Sequence, residues 1–369
     1  MKTIAYYLPQ FHRIPENDEW WGEGFTEWVN VKNAVPLFPW HLQPRVPLNN
    51  YYYDLSDVGV MRWQSSLAKQ YGLYGFCFYH YWFGDRPLLE KPILNYLHEE
   101  SIDFPFCLCW ANESWTNGWA KPNSEVILEQ KYGSYKEWEE HFNFLLPFLK
   151  DRRYIKDNGK PLLLIYRPYL CPDMCAMLDY WKTLAKQNGL EGLTVASQRY
   201  EEPHLNNTIY DYMDYHIDYQ PDMKGFGLKK SPSFAEKVLN KVNKTALNAF
   251  NKDLALDTCL KNKPACYDYD EMWKRIIEAL PEDSKRVAGA FVNWDNTPRY
   301  RQRGSVFSGV TPEKFEHYLR QQIEHVKKEY STDYLFLFAW NEWAEGGYLE
   351  PDAQNGYKYL MALKNALSE

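Results

Sequence analysis

The chain has 369 residues, a net charge of −7 and a sequence pI near 5.8; no stretch approaches the ~18 apolar residues of a membrane span. That balance excludes a general affinity for nucleic acid or anionic membrane, and the length suits either two domains or one large α/β barrel. The unusual figure is the aromatic share, 17% with 15 Trp, 30 Tyr and 19 Phe. Tryptophan beyond the needs of a core often lines clefts that stack against sugar rings.

In chain order, the first apolar run covers residues 3–8 and ends at Pro9. No apolar leader followed by small residues precedes it, so no signal peptide is expected. The next stretch, 16–53, is too long for a βα loop and carries Trp20, Trp21, Glu23, Glu27, Trp28 and His41. Long ordered loops are usually functional, so this one should wall a cleft. Helical periodicity over 58–71 stops at Gly72. The apolar run 74–79 leads into His80-Tyr81-Trp82-Phe83, and the run 104–110 into Ala111-Asn112-Glu113-Ser114-Trp115. A helical pattern at 135–149 precedes the run 161–166, which is followed by Arg167. Another at 174–187, stopped by Gly189, precedes the run 193–197, followed by Gln198. A weaker strand signal lies at 212–219. Residues 224–263 then carry nine lysines against three acids, +6 in a chain that is negative overall. They read as a solvated helical insertion or, alternatively, a site for an anionic partner. The pattern resumes with a helix at 269–280, a strand at 287–294, a helix at 312–329 and the uninterrupted apolar run 334–340.

Eight alternating units predict a single-domain (β/α)8 TIM barrel. The competing doubly wound sheet usually carries a glycine-rich phosphate turn, and no G-x-G-x-x-G follows any strand. Seven cysteines show no metal-site spacing and suit a reducing, cytoplasmic setting; Cys107 and Cys109 fall on one face of a strand. His204 and His216 stand alone, so neither a metal site nor a cofactor is expected. Asp268-Tyr269-Asp270 has the letters of a D-x-D site, but it precedes a helical pattern and reads as a cap.

The strand ends share a polar-aromatic character, and in a barrel they converge on one face. His80, Trp82, Trp110, Asn112, Glu113, Arg167, Gln198, Trp294, Asn296, Arg299, Trp340 and Asn341 are therefore expected to bind substrate, with Tyr7 and Trp28 beside them. The densest block follows the last run: Asn341, Glu342, Trp343, Ala344, Glu345, then Gly346-Gly347. Two acids three apart can simply cap a helix. In a turn, which the glycines favour, they lie on one face, and paired acids in one pocket are the equipment of glycoside hydrolysis. Glu342 and Glu345 are the candidate catalytic residues.

These residues also carry a resemblance. Tyr6-Tyr7-Leu8-Pro9-Gln10-Phe11-His12, Trp20-Trp21-Gly22 with Gly24-Phe25-Thr26-Glu27-Trp28, and Gly75-Phe76-Cys77 with Tyr79-His80-Tyr81-Trp82 resemble the WbsX-type, glycoside hydrolase family 99-like proteins. So do 104–113, 294–299 and, most specifically, 340–346 with Leu349-Glu350-Pro351-Asp352. The resemblance implies a (β/α)8 barrel acting on polysaccharide, in a family often associated with O-antigen or capsule (lipopolysaccharide) biosynthesis. By position in the related endo-α-mannosidases, Glu342 would be the base at the sugar 2-hydroxyl and Glu345 the acid/base at the leaving group. Ala344 stands where those enzymes have histidine, so a mannose substrate does not carry over.

Three functions follow. The first is a retaining, endo-acting glycosidase on a bacterial polysaccharide or glycan, in which Glu345 would need a raised pKa. The second is a glycosyltransferase or transglycosylase of surface-polysaccharide assembly. The third is a non-catalytic carbohydrate-binding barrel.

Overall fold

The structure, a computed structural model, describes residues 1–118, 124–198, 208–230 and 263–368. Eight strands form its centre: β1 (Lys2–Tyr7), β2 (Gly75–Phe83), β3 (Phe106–Trp110), β4 (Lys160–Ile165), β5 (Thr194–Ser197), β6 (Tyr215–Ile217), β7 (Arg286–Phe291) and β8 (Tyr334–Phe338). Each pairs in parallel with the next, and the sheet closes where β8 meets β1, Lys2 opposite Tyr334 and Ala5 opposite Leu337. Closure excludes the open doubly wound sheet; the fold is a (β/α)8 barrel. The strands are mostly apolar because one face fills the barrel and the other packs under helices.

Around the barrel lie α1 (Glu27–Lys32), α2 (Val58–Gln70), α3 (Lys91–His98), α4 (Tyr135–Lys150), α5 (Met174–Gln187), α6 (Tyr269–Glu278), α7 (Thr297–Tyr300), α8 (Pro312–Glu329) and α9 (Lys358–Leu367). The five helices read from periodicity are present, with ends moved by at most two residues. Local chemistry explains their starts. Ser134 and Glu137 form a capping box on α4, and Asp268 accepts the Glu271 backbone N–H at 3.0 Å on α6. Asp268 is thus a cap, and Asp270 is held by Lys314 at 2.7 Å and Tyr318 at 3.0 Å. Gly72 and Gly189 end α2 and α5 with φ of +84° and +82°, the left-handed region glycine enters freely.

The last strand is shorter than its apolar run. After Phe338 the chain leaves the sheet, and Asn341–Glu342 pairs antiparallel with Gly347–Tyr348 across a one-turn 3-10 helix, Trp343–Glu345. The long connection after β1 folds into short helices and returns over the C-terminal mouth of the barrel. Of the expected lysine-rich insertion, residues 231–262 lie outside the described residues. Among the described residues no helix is long and apolar enough to cross a membrane.

Candidate active site

The turn after β8 is tightly specified. Asn341, fully buried, accepts the Leu8 N–H at 2.7 Å and donates to the Leu8 carbonyl at 3.0 Å, tying the ends of β8 and β1. Asp295 donates its backbone N–H to the Glu345 carbonyl at 2.7 Å. Gly346 closes the turn at φ +69°, where a Cβ would come within 2.9 Å of the Asp295 Cβ, and a Cβ on Gly347 would overlap the Phe338 ring. Held this way, Glu342 and Glu345 line one cleft of about 320 Å³ at the barrel mouth.

One cation organises the acids. From α7, the Arg299 guanidinium donates from Nη1 to Glu345 Oε1 at 2.7 Å and from Nε to Glu27 Oε2 at 3.2 Å, with Nη2 3.1 Å from the same Glu27 oxygen. Glu342 Oε2 lies 3.7 Å from Nη2 and, although buried, accepts no hydrogen bond from the described residues. Burial, reinforced by Glu345 and Glu27 and only partly offset by Arg299, holds the Glu342 carboxyl well above its ordinary pKa. Burial works against the charge of Arg299, but Glu27, Glu345 and Glu342 keep it firmly protonated. Asp295 positions the start of α7 by accepting from Thr297 N at 3.1 Å and Oγ1 at 2.5 Å. It is itself held by Gln43 at 2.7 Å and lies 2.9 Å from His41 Nε2. Burial opposes its charge, but His41 and Arg45 keep Asp295 below the usual carboxylate range.

Behind the turn, Trp343 Nε1 donates to Glu350 Oε2 at 2.6 Å; Tyr53 and Gln64 supply two further hydrogen bonds to that carboxylate, each at 2.7 Å. Burial pushes Glu350 up to about 7 despite these donors.

Of the expected substrate-binding residues, Glu113, Trp294 and Arg299 line the cleft. Arg167 pairs with Glu113 at 2.6 Å, and the Asn112 amide brackets the Arg167 backbone with two 2.8 Å hydrogen bonds. Gln198 lies deeper, donating to the Tyr79 hydroxyl at 2.8 Å. Asn296 accepts from Ser305 N at 2.7 Å and steadies the loop beside Trp294.

Arg167, Asn112, Gln198 and Asn296 do not line the cleft itself, nor do the remaining expected residues; for those on the barrel strands parity is the reason, since successive side chains of a strand point to opposite faces. On β2, Tyr79 and Tyr81 line the cleft, while His80 and Trp82 face α4, where His80 Nε2 lies 2.8 Å from His141 Nε2 and Trp82 stacks on His141. Trp110 packs against His141 and Trp181. Tyr7 donates outward to Gln64 at 2.5 Å, and Trp340 packs on Phe76. Trp28 donates to the Tyr53 carbonyl at 2.7 Å and lies against Trp343, so it supports the turn from behind. Asn341, as described, is a staple between strands.

Sequence reasoning missed Gln10, Asn17, Tyr79, Tyr81, Trp115, Tyr166, Tyr219 and Tyr300, all of which line the cleft, and Asp295 beneath it. Tyr79 and Tyr81 alternate with His80 along β2, but a strand buried on both faces gives no sign of which set points inward. The loop after β1 does supply a wall, through Trp21, Phe25 and Glu27; His41 from the same loop lies under the turn.

Comparison with known proteins agrees with this architecture. An endo-α-mannosidase of glycoside hydrolase family 99 from Bacteroides thetaiotaomicron superposes with a TM-score of 0.56 at 15% identity, covering 99% of this chain and 95% of that one. A structure described as a glycoside hydrolase-like protein gives 0.57 at 12% identity, covering 99% and 93%. At such identities the likeness shows the fold. Two proteins named uncharacterized protein WxcX, from Xanthomonas campestris pv. campestris strains B100 and ATCC 33913, are each 34% identical over 368 residues. That alignment covers 99% of this chain and 49% of each relative, so the chain spans about half their length. The sequence model of the family described as glycosyltransferase WbsX matches residues 3–363, and the chain belongs to that family.

Proposed function

We propose that the protein is a carbohydrate-active enzyme that breaks a glycosidic bond with Glu342 and Glu345, acting on a bacterial polysaccharide or glycan. The observation that carries this reading is the pair itself. Two carboxyls share one cleft and one arginine, yet only Glu345 is within hydrogen-bonding distance of the cation. Glycoside cleavage needs one carboxyl protonated and one ionised in the same pocket. Glu345, hydrogen-bonded to Arg299, suits the ionised role; Glu342, buried and lacking a partner on Oε2, suits the protonated one. This order reverses the roles implied by position in the mannosidases.

In the proposed reaction Glu342 gives its proton to the glycosidic oxygen as the bond from C1 breaks. The Glu345 carboxylate either bonds to C1 from the sugar's other side, forming a glycosyl ester, or takes the proton of a neighbouring hydroxyl whose oxygen closes onto C1 as an anhydro sugar. Water then adds to C1 and gives a proton to Glu342 as that bond breaks, releasing the Glu345 carboxylate or drawing its proton back onto the sugar oxygen, with net retention. The aromatic lining offers faces for sugar rings. An endo-acting mode is part of the proposal, in line with the mannosidases that share the fold.

Transfer to an acceptor hydroxyl in place of water is the second reading, favoured by the name of the family. The charge of the cleft favours transfer from a glycan over transfer from a nucleotide sugar. Among the described lining residues the ionised acids Glu27 and Glu345, beside a protonated Glu342, outnumber the one cation, Arg299, which both engage, and Glu113 is paired with Arg167. A pyrophosphate would meet repulsion there.

The test is incubation of the protein with a panel of capsule and O-antigen polysaccharides, following new reducing ends and, with added oligosaccharide acceptors, lengthened products. Glu342→Gln and Glu345→Gln should each remove turnover. Full activity in both variants overturns the assignment, and strict dependence on a nucleotide sugar overturns the glycan-cleaving reading.

A further inference from the structure

Glu27 lies outside the pair, 272 positions from the arginine it holds. It is the first residue of α1, buried, and part of the cleft wall. Its place is fixed from the same helix: Trp28, next in sequence, packs on Trp343, one of the two residues between the candidate acids. Helix and catalytic turn therefore move as one packed unit.

The guanidinium has five N–H groups in a planar fork. Glu27 occupies its Nε–Nη2 edge with one oxygen, and Glu345 takes Nη1. Glu342, at 3.7 Å from Nη2, is beyond hydrogen-bonding distance. The groups facing Glu342 are Arg299, Glu345, Glu27 and the hydroxyls of Tyr79 and Tyr81. Were Glu27 neutral, nothing on that edge would compete for the cation, and Glu342 could draw it in.

We propose that Glu27 is a positioning residue of the reaction: by engaging one edge of Arg299 it keeps the guanidinium on Glu345 and off Glu342, so that the single proton of the pair rests on Glu342. The assignment rests on the reading of Glu342 and Glu345 as the reacting acids. It gives the WbsX-type loop motif Gly24-Phe25-Thr26-Glu27-Trp28 an electrostatic task distinct from contact with the sugar.

The test needs no substrate. Protein labelled with 13C at the glutamate carboxyl carbon is titrated by NMR, with Glu342→Gln and Glu345→Gln identifying the two resonances. In the wild type Glu342 should titrate above Glu345. Glu27→Gln, nearly isosteric, should lower the Glu342 midpoint by about one pH unit, the usual effect of losing a nearby like charge while an opposite charge moves closer. Glu27→Asp, which keeps the charge, should recover most of that shift. An unchanged or raised Glu342 midpoint in Glu27→Gln overturns the proposal. Should that variant not fold, Arg299→Lys reads the same contact from its other side. A point charge cannot span both acids, so the Glu345 midpoint should rise; wild-type midpoints for both carboxyls would equally overturn it. Because the readout is titration, the two failures are distinguishable: the effect of Glu27 on the proton of the pair can be present although no glycan is turned over, which sinks the reading of the acids, and can be missing while Glu342→Gln and Glu345→Gln still abolish turnover, which sinks this proposal alone.

Discussion

Two regions of this molecule read alike in sequence and differ entirely in space. After β8, Trp340-Asn341-Glu342-Trp343 places an acid in the cleft. At the end of β2, Tyr79-His80-Tyr81-Trp82 places its histidine and tryptophan against α4, sealed from solvent. Both are polar-aromatic clusters at a strand's C-terminal end. What separates them is that β2 runs on through His80 and Trp82, which face away from the cleft, whereas the chain after Phe338 leaves the sheet and turns its acids into the cleft. The cluster at His80, His141, Trp82 and Trp110 is a core in which two neutral imidazoles meet; the cluster at Glu342, Glu345 and Arg299 is a charged site at the mouth.

The sharpest way to break this contrast is to exchange expectations between the regions. Glu342→Gln or Glu345→Gln should cost about 10³-fold or more in turnover, as loss of a general acid or its partner does, with melting temperature nearly unchanged. Trp110→Ala should instead cost about 3–5 kcal/mol in urea unfolding, with kcat/KM per folded molecule preserved. If Trp110→Ala kept its stability and lost glycan binding, the outward cluster would be a binding surface after all.

A pH titration of stability separates the regions further. Burial pushes His80 down to about 3 and, with His80 beside it, pushes His141 well below its ordinary value. The unfolded chain takes up these protons near pH 6.5, whereas the fold resists them. Stability from this pair is therefore complete above about 6.5 and falls as the pH drops below it, by up to about 1.4 kcal/mol per pH unit for each histidine. His141→Gln should make that slope shallower. The active site predicts the opposite limb: Glu342, raised by burial, must keep its proton, so turnover should fail as the pH climbs through its pKa. The smallest effect belongs to Tyr81→Phe, which removes a hydroxyl that accepts from Gln10 at 2.8 Å in the cleft. It should weaken glycan binding by about 1 kcal/mol, read by titration calorimetry on the Glu342→Gln protein.

The fold was legible because a strand buried on both faces announces itself as a largely apolar run; all eight expected segments, the weaker one at 212–219 included, became barrel strands. The same property hid the site's details. A strand with polar residues on one face reveals its orientation by alternation; these do not, so nothing in 75–83 marks Tyr79 and Tyr81 as inward and His80 and Trp82 as outward. That Glu342 and Glu345 share one cleft was legible because Gly346-Gly347 favours a turn and a turn puts residues three apart together. The remaining partners were visible singly, Glu27 in a loop and Arg299 after a strand, with no local pattern to join residues so far apart. Asp295 was hidden by its neighbours, since its work is done through backbone and buried contacts.

The stapling of β1 to β8 has a consequence for the order in which the chain is made. Leu8 waits for Asn341, and Glu27 for Arg299. During synthesis the amino-terminal strands can begin to associate first, but until residues 334–338 emerge the sheet remains open with two bare edges. The candidate acids arrive with the segment that closes it. A ribosome stalled before residue 340 would therefore carry a chain that lacks both candidate acids and is prone to sticking to its neighbours. Completion of the proposed site and protection from aggregation fall in one step of translation.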